Sequence, residues 1–209
     1  MSDRPLSERP TRVYLAGPDV FLRDAVGQGE RKKALCRQYG LEGVFPFDVE
    51  VESSKGHARE TALLISKSNE ELIRGCRAMI ANMTPFRGPS ADVGTAYEMG
   101  MGRALGLLVF AYTNVAVPFT TRTASFLGPA ARRDQAGCLR DGDDMAVEEW
   151  GLMDNLMLEG GALASGGELV VVNASERERF NDLSGFEKCV QGAARALLGA
   201  CSSASPTRN

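Results

Sequence analysis

Short, near-continuous apolar runs alternate with longer stretches of helical periodicity along most of this chain. Val13–Ala16 is the first run and ends in the turn Gly17-Pro18. Helical patterning over Gly29–Tyr39 follows and closes at Gly40, a residue suited to the left-handed position after a helix. Val44–Phe47 predicts a second, short strand. Residues 59–75 place Ala62, Ile65, Leu72 and Cys76 on one stripe and so predict a helix. Ala78–Met83 predicts the third strand, Asp92–Leu105 a helix ended by Gly106, Leu107–Tyr112 the fourth strand and Glu168–Asn173 the fifth. A last helix carries Val190, Ala193 and Leu197, with Ser184 and Glu187 spaced as a capping box at its start.

Strands that are apolar throughout are buried on both faces, and alternation with helices makes them parallel. The expectation is an α/β fold with a doubly wound, five-stranded parallel sheet, one domain over residues 12–199. Residues 1–11 and 200–209 read as disordered polar tails. Residues 113–147 break the alternation, rich in Thr, Arg, Gly and Asp with little periodicity. So long a loop is either a lid over a site or a mobile surface insertion.

Composition narrows the function. The 209 residues are 44% hydrophobic and 24% charged, the balance of a globular chain with a sizeable core. Lys+Arg number 24 against 27 Asp+Glu, a net charge of −3 that gives no footprint for nucleic acid. No apolar run approaches a membrane span and the N-terminus lacks a signal-peptide core, so a cytoplasmic protein with no membrane partner is expected. Five cysteines (Cys36, Cys76, Cys138, Cys189, Cys201) without a CxxC pair read as reduced thiols. One histidine, His57, in a polar loop-like stretch, weighs against a histidine triad or a multi-histidine metal site. Neither a metal nor a cofactor is expected. The Gly17-Pro18 turn lacks both the GxGxxG and P-loop patterns.

In an open parallel sheet, ligands bind beyond the carboxyl ends of the strands. Tyr14–Asp24, Phe45–Asp48 and Asn82–Glu98 fall there. From Val93 to Gly102, Glu98 is the only carboxylate, framed by apolar and glycine residues. A helix of that composition packs closely, so Glu98 is partly buried: either an ion pair, with Arg87 or Arg103, or a functional group. Asp92 stands where an N-cap would. Asn69 interrupts its helix's apolar stripe and is either bonded within the core or turned towards a ligand. Asn155, in MDNLMLEGG, poses the same question.

Together, YLAGPDVF (14–21), NMTPFRGPSADVGTAYEMGMGRALG (82–106) and WGLMDNLMLEGG (150–161) resemble the nucleoside 2-deoxyribosyltransferase family. The helix before the third strand fits too, so the likeness covers most of residues 12–160. DVGTAYEMG is its most specific part. The resemblance implies a flavodoxin-like fold and a two-step exchange of nucleobases on 2′-deoxyribonucleosides with net retention. On it, Glu98 is the nucleophile, Tyr14 orients that carboxylate, and Asp92 holds the sugar's 5′-hydroxyl. Asn155 reaches the same hydroxyl from a neighbouring subunit, which implies a homo-oligomer.

The resemblance further implies that Phe21 and the Phe45–Asp48 turn, with Phe47 and Asp48, line the base pocket, and that Gly17 and Pro18 bind the substrate. The chain departs from the family at Asn69, where many members carry an aspartate that protonates the leaving base. Either Asp48 or Asp19 takes that part, or Asn69 only hydrogen-bonds the base. It departs also at Arg77, expected to be a structural difference. Two other readings stay open. One is an N-glycosidase of deoxynucleoside 5′-monophosphates, which Ser90 would suit and Asp92 would oppose. The other is a nucleoside-binding module without catalysis.

Overall fold

The computed structural model describes residues 10–49 and 58–199. His57, Cys201 and nearly all of the two tails lie outside the described residues. Strands β1 (Thr11–Ala16), β2 (Leu41–Val44), β3 (Ala78–Asn82), β4 (Leu108–Thr113) and β7 (Leu169–Val171) form one sheet in the order β2-β1-β3-β4-β7. Every pairing is parallel. This is the flavodoxin-like doubly wound order, with its reversal between β1 and β3.

Alternation along each strand sends successive side chains to opposite faces. Tyr14, Ala16, Met79, Ala81 and Val109 pack on one side, against Ile73 of α2 (Ala58–Arg74), Met99 of α3 (Val93–Ala104) and Ala162 of α5 (Leu156–Ala164). Val13, Leu15, Ile80, Phe110 and Tyr112 pack on the other. There they meet Cys36 of α1 (Ala25–Gln38) and Phe186, Cys189 and Val190 of α6 (Ser184–Leu198). Among the described residues no helix is long and apolar enough to cross a membrane.

Several expectations are corrected. The second strand is Leu41–Val44, not Val44–Phe47. The Asp48 carboxylate accepts from Phe45 N at 2.8 Å, and Pro46, lacking an N–H, opens a 3₁₀ turn over Pro46–Asp48. Helix α1 begins at Ala25, four residues before the pattern shows it. Asp24 caps it, accepting from Gly27 N at 3.1 Å, while Gly27 and Gly29 hide the first turn from any apolar stripe.

The capping box at Ser184 does not form. Asp182 accepts from Ser184 N at 2.7 Å, and Glu187 instead accepts from the Tyr39 hydroxyl at 2.8 Å. The span 113–147 is not an unbroken loop either. It carries α4 (Phe119–Leu127) and a small antiparallel ribbon, β5 (Arg132–Arg133) with β6 (Leu139–Arg140). Arg133–Glu149 and Arg140–Asp134 ion pairs, at 2.8 and 2.9 Å, brace that ribbon in place of an apolar face.

Candidate active site

The reversal of strand order opens a crevice at the carboxyl ends of β1 and β3. Gly17 carries the chain across it. Its φ is +156°, and a Cβ there would lie 2.5 Å from Asp19 Oδ2 and 2.7 Å from Asn82 Cβ. Only glycine lets the loop approach the end of β3 so closely. Pro18 and Asp19 are buried in the 3₁₀ turn Pro18–Phe21. Asp19 is sealed there, ion-paired to Lys32 at 2.7 Å with both side chains 1% exposed, and it accepts from Asn82 Nδ2 at 3.2 Å. Lys32 also sits over the rings of Tyr112 and Phe186. Asp48 is likewise engaged, by Lys33 Nζ at 2.7 Å as well as by Phe45 N.

Glu98 lies one turn into α3. The hydroxyl of Tyr14, fully buried in β1, donates to its Oε1 at 2.6 Å. Burial pushes the Glu98 carboxyl up to about 7; the Tyr14 hydrogen bond opposes the rise and the charge of Asp92 adds to it. Burial, with the neighbouring Glu98 charge, also drives the Tyr14 phenol far above its ordinary value, so it remains a donor. The ion pair entertained for Glu98 is not what the chain builds. The Arg87 guanidinium lies over Phe21 and Phe86, 4.9 and 4.5 Å from the ring centroids, and Arg103 reaches the Gly161 carbonyl. Among the described residues no cation pairs with Glu98.

Asp92 caps α3, its Oδ2 accepting from Thr95 N at 3.0 Å and Thr95 Oγ1 at 3.3 Å. Glu98 opens on a recess of about 220 Å³ whose walls include Asn69, Ile73, Gly94 and Tyr97. A second recess of about 250 Å³, lined by Val20, Phe47, Val49 and Ser68, shares Ile65 and Asn69 with the first. Asn69 thus stands between the two. Its Oδ1 is buried without a hydrogen-bond partner, and this favours a side chain turned towards a ligand over one satisfied in the core.

Phe21 is half exposed and lines neither recess; it stacks on Phe86 at 5.1 Å and 14°. Asn155 lines neither recess of its own chain. It caps α5, accepting from Met157 N at 3.0 Å and donating to Glu148. A further groove of about 560 Å³ runs between α3 and α5 along Gly100, Met157 and Gly161, and Glu98 does not line it. Three features escape sequence reading. They are the Lys32–Asp19 pair, the Tyr97–Glu70 hydrogen bond of 2.6 Å at the recess wall, and the buried pair of Asp154 with Arg122. For Asp154 the only signal is its place beside Asn155 in an apolar frame.

Fold and site together define a flavodoxin-like α/β protein with an unpaired, tyrosine-held carboxylate beside a bipartite cleft. Residues 13–157 match the nucleoside 2-deoxyribosyltransferase family, and the chain belongs to it. An uncharacterized Schizosaccharomyces pombe protein is 32% identical over 178 residues, covering 80% of this chain and 84% of that one. The structure of the 2-desoxiribosyltransferase from Leishmania mexicana superposes with a TM-score of 0.59 at 27% identity, covering 87% of this chain and 98% of the other. A more distant likeness is the CMP N-glycosidase BcmB of Clostridium botulinum, with 12% identity and a TM-score of 0.43.

Proposed function

We propose that this protein exchanges the base of 2′-deoxyribonucleosides for a free purine or pyrimidine through a deoxyribosyl ester on Glu98. The observation that carries this reading is the Glu98 carboxylate itself: largely but not fully buried, without a cation, and fixed by Tyr14 at 2.6 Å beside a recess. With Oε1 held, Oε2 is the nucleophile. It attacks C1′, the C1′–N bond breaks, and its electron pair leaves with the base. A nitrogen of the incoming base then attacks C1′, gives up its proton to solvent and the carboxylate departs, so two inversions give net retention. Lacking a 2′-hydroxyl, the sugar develops oxocarbenium character readily and demands little acid assistance.

Asp92 holds the 5′-hydroxyl. The base occupies the recess of Phe47 and Val20, where Asn69 and Ser68 supply its polar contacts. Asp19 and Asp48 are engaged by lysines, so the base departs on hydrogen bonds and takes its proton from solvent. Asn155 completes a neighbouring copy's site. An oligomer is favoured by the exposed apolar face of α3 and α5, where Val93 is 85% and Met157 72% exposed.

The test is a transfer assay with 2′-deoxyinosine or thymidine plus free adenine or cytosine, products being separated chromatographically. New deoxynucleoside is expected. Free deoxyribose without transfer would replace the reading by a glycosidase, and nucleoside binding without turnover by a binding module. The pH profile is a second check. The nucleophile must be ionised, so turnover rises with pH through about 7. Because the Tyr14 hydrogen bond lowers the Glu98 pKa, Tyr14→Phe is expected to move that rise to higher pH as well as to slow turnover. A slowed enzyme with an unmoved profile would deny Tyr14 this part.

A further inference from the structure

One carboxylate outside the cleft is fully buried and fully engaged. Asp154 is 0% exposed. Its Oδ1 accepts from the Ser90 hydroxyl and from Asn155 N at 2.8 Å; its Oδ2 accepts from Ala91 N at 2.9 Å and Arg122 Nη2 at 3.3 Å. Arg122, on α4, holds the same two segments by their carbonyls. Its Nε donates to Pro89 O at 2.7 Å and its Nη2 to Met153 O at 2.6 Å, while Nη1 reaches Val117 O.

The residues so clamped are the immediate neighbours of two helix caps. Ala91 precedes Asp92, which caps α3, and Asp154 precedes Asn155, which caps α5. Arg122 comes from the 113–147 span, so that span contributes a strut to the site's framework. We propose that Asp154, anchored by Arg122, is a positioning residue that sets Asp92 and Asn155 together and thereby the recognition of the sugar's 5′-hydroxyl. This rests on the transferase reading above. Because Asn155 serves the neighbouring copy in that reading, one buried carboxylate holds parts of two sites in register. Without it, the two caps would still form, but the loop 89–91 and the start of α5 would no longer share a fixed anchor.

The test separates this role from general support of the fold by removing the group being recognised. Wild type, Ser90→Ala and Asp154→Asn would each be given 2′-deoxyinosine or 2′,5′-dideoxyinosine, with free adenine as acceptor. Wild type is expected to prefer the substrate that bears the 5′-hydroxyl. For that substrate kcat/KM should fall about 10-fold in Ser90→Ala and about 100-fold in Asp154→Asn, while the dideoxy substrate stays within about twofold of wild type. Ser90→Ala, which deletes a single donor, keeps the comparison valid if Asp154→Asn fails to fold. Equal losses on both substrates, or no loss on either, would overturn the proposal. Wild-type turnover without preference between the substrates would overturn 5′-hydroxyl recognition, and the proposal with it. If only thymidine and free cytosine react, the same comparison is made with thymidine and 5′-deoxythymidine, and no wild-type turnover of any of these substrates would bring down the transferase reading on which the proposal rests.

Discussion

Replacing Glu98 by glutamine is expected to abolish base exchange, by on the order of 10⁴-fold or more, while making the folded protein more stable above neutral pH. The amide keeps the shape of the side chain and an oxygen for the Tyr14 hydroxyl, but it cannot form the glycosyl ester. The stability gain follows from the carboxyl's own environment. Glu98 titrates near 7 in the folded chain against an ordinary 4.5, chiefly because burial disfavours its charge. A raised folded value means the native state holds its proton more tightly than the unfolded chain does. Its contribution is therefore fully present below about 4.5 and is lost as pH rises through about 7.

The shift amounts to about 3 kcal/mol of folding free energy given up at pH 8 to hold an ionised carboxylate in that environment. Glutamine does not titrate and is spared that loss. Urea unfolding of wild type and Glu98→Gln at pH 5 and pH 8 should show the variant's advantage growing with pH, by up to about that amount. An advantage independent of pH would mean the carboxylate is solvated well enough to carry no such strain. Loss of turnover together with gain of stability is the pattern of a site that spends stability on reactivity.

Why Glu98 was visible in the sequence, and much around it was not, has a local cause. A lone carboxylate in VGTAYEMG violates the apolar pattern of its own helix, so the exception marks itself. Pattern alone shows Tyr14 only as part of a strand; the family resemblance is what pairs it with Glu98, because a hydrogen bond to a residue 84 positions away is a product of the fold. Lys32 looks like one more solvated charge in GERKKAL, although it ends among Asp19, Tyr112 and Phe186. Helix α5 escaped because LMLEGGALA, apart from Glu159, is apolar or glycine throughout and has no stripe to read. Ser184 and Glu187 had the right spacing, but Asp182 and Tyr39 offered their groups better partners. Asp154 depends on Ser90, Arg122 and its own neighbour, three separated segments that no window along the chain can join.

The buried pair behind the first loop should carry the largest structural effect. Lys32→Met leaves the Asp19 carboxylate in a dry interior with only amide donors, Asn82 Nδ2 at 3.2 Å and Gln28 Nε2 at 3.5 Å. Stranding one member of a buried ion pair costs about 3–5 kcal/mol, so thermal unfolding should move down by roughly 10 °C. Asp19→Asn should cost less, because the Lys32 ammonium keeps the faces of Tyr112 and Phe186, 5.5 and 5.1 Å from their centroids. The double variant Asp19→Asn with Lys32→Met strands no charge and should recover a good part of what Lys32→Met loses. Simple addition of the two single losses would show that the pair acts as two independent packing groups. Recovery should not extend to turnover, however. Asp19 anchors the turn that presents Val20 to the recess of Phe47 and Val49, and its carboxylate packs against the bare backbone of Gly17. A restored melting temperature with base exchange still impaired would therefore place the pair's importance in the orientation of that loop rather than in the stability of the sheet.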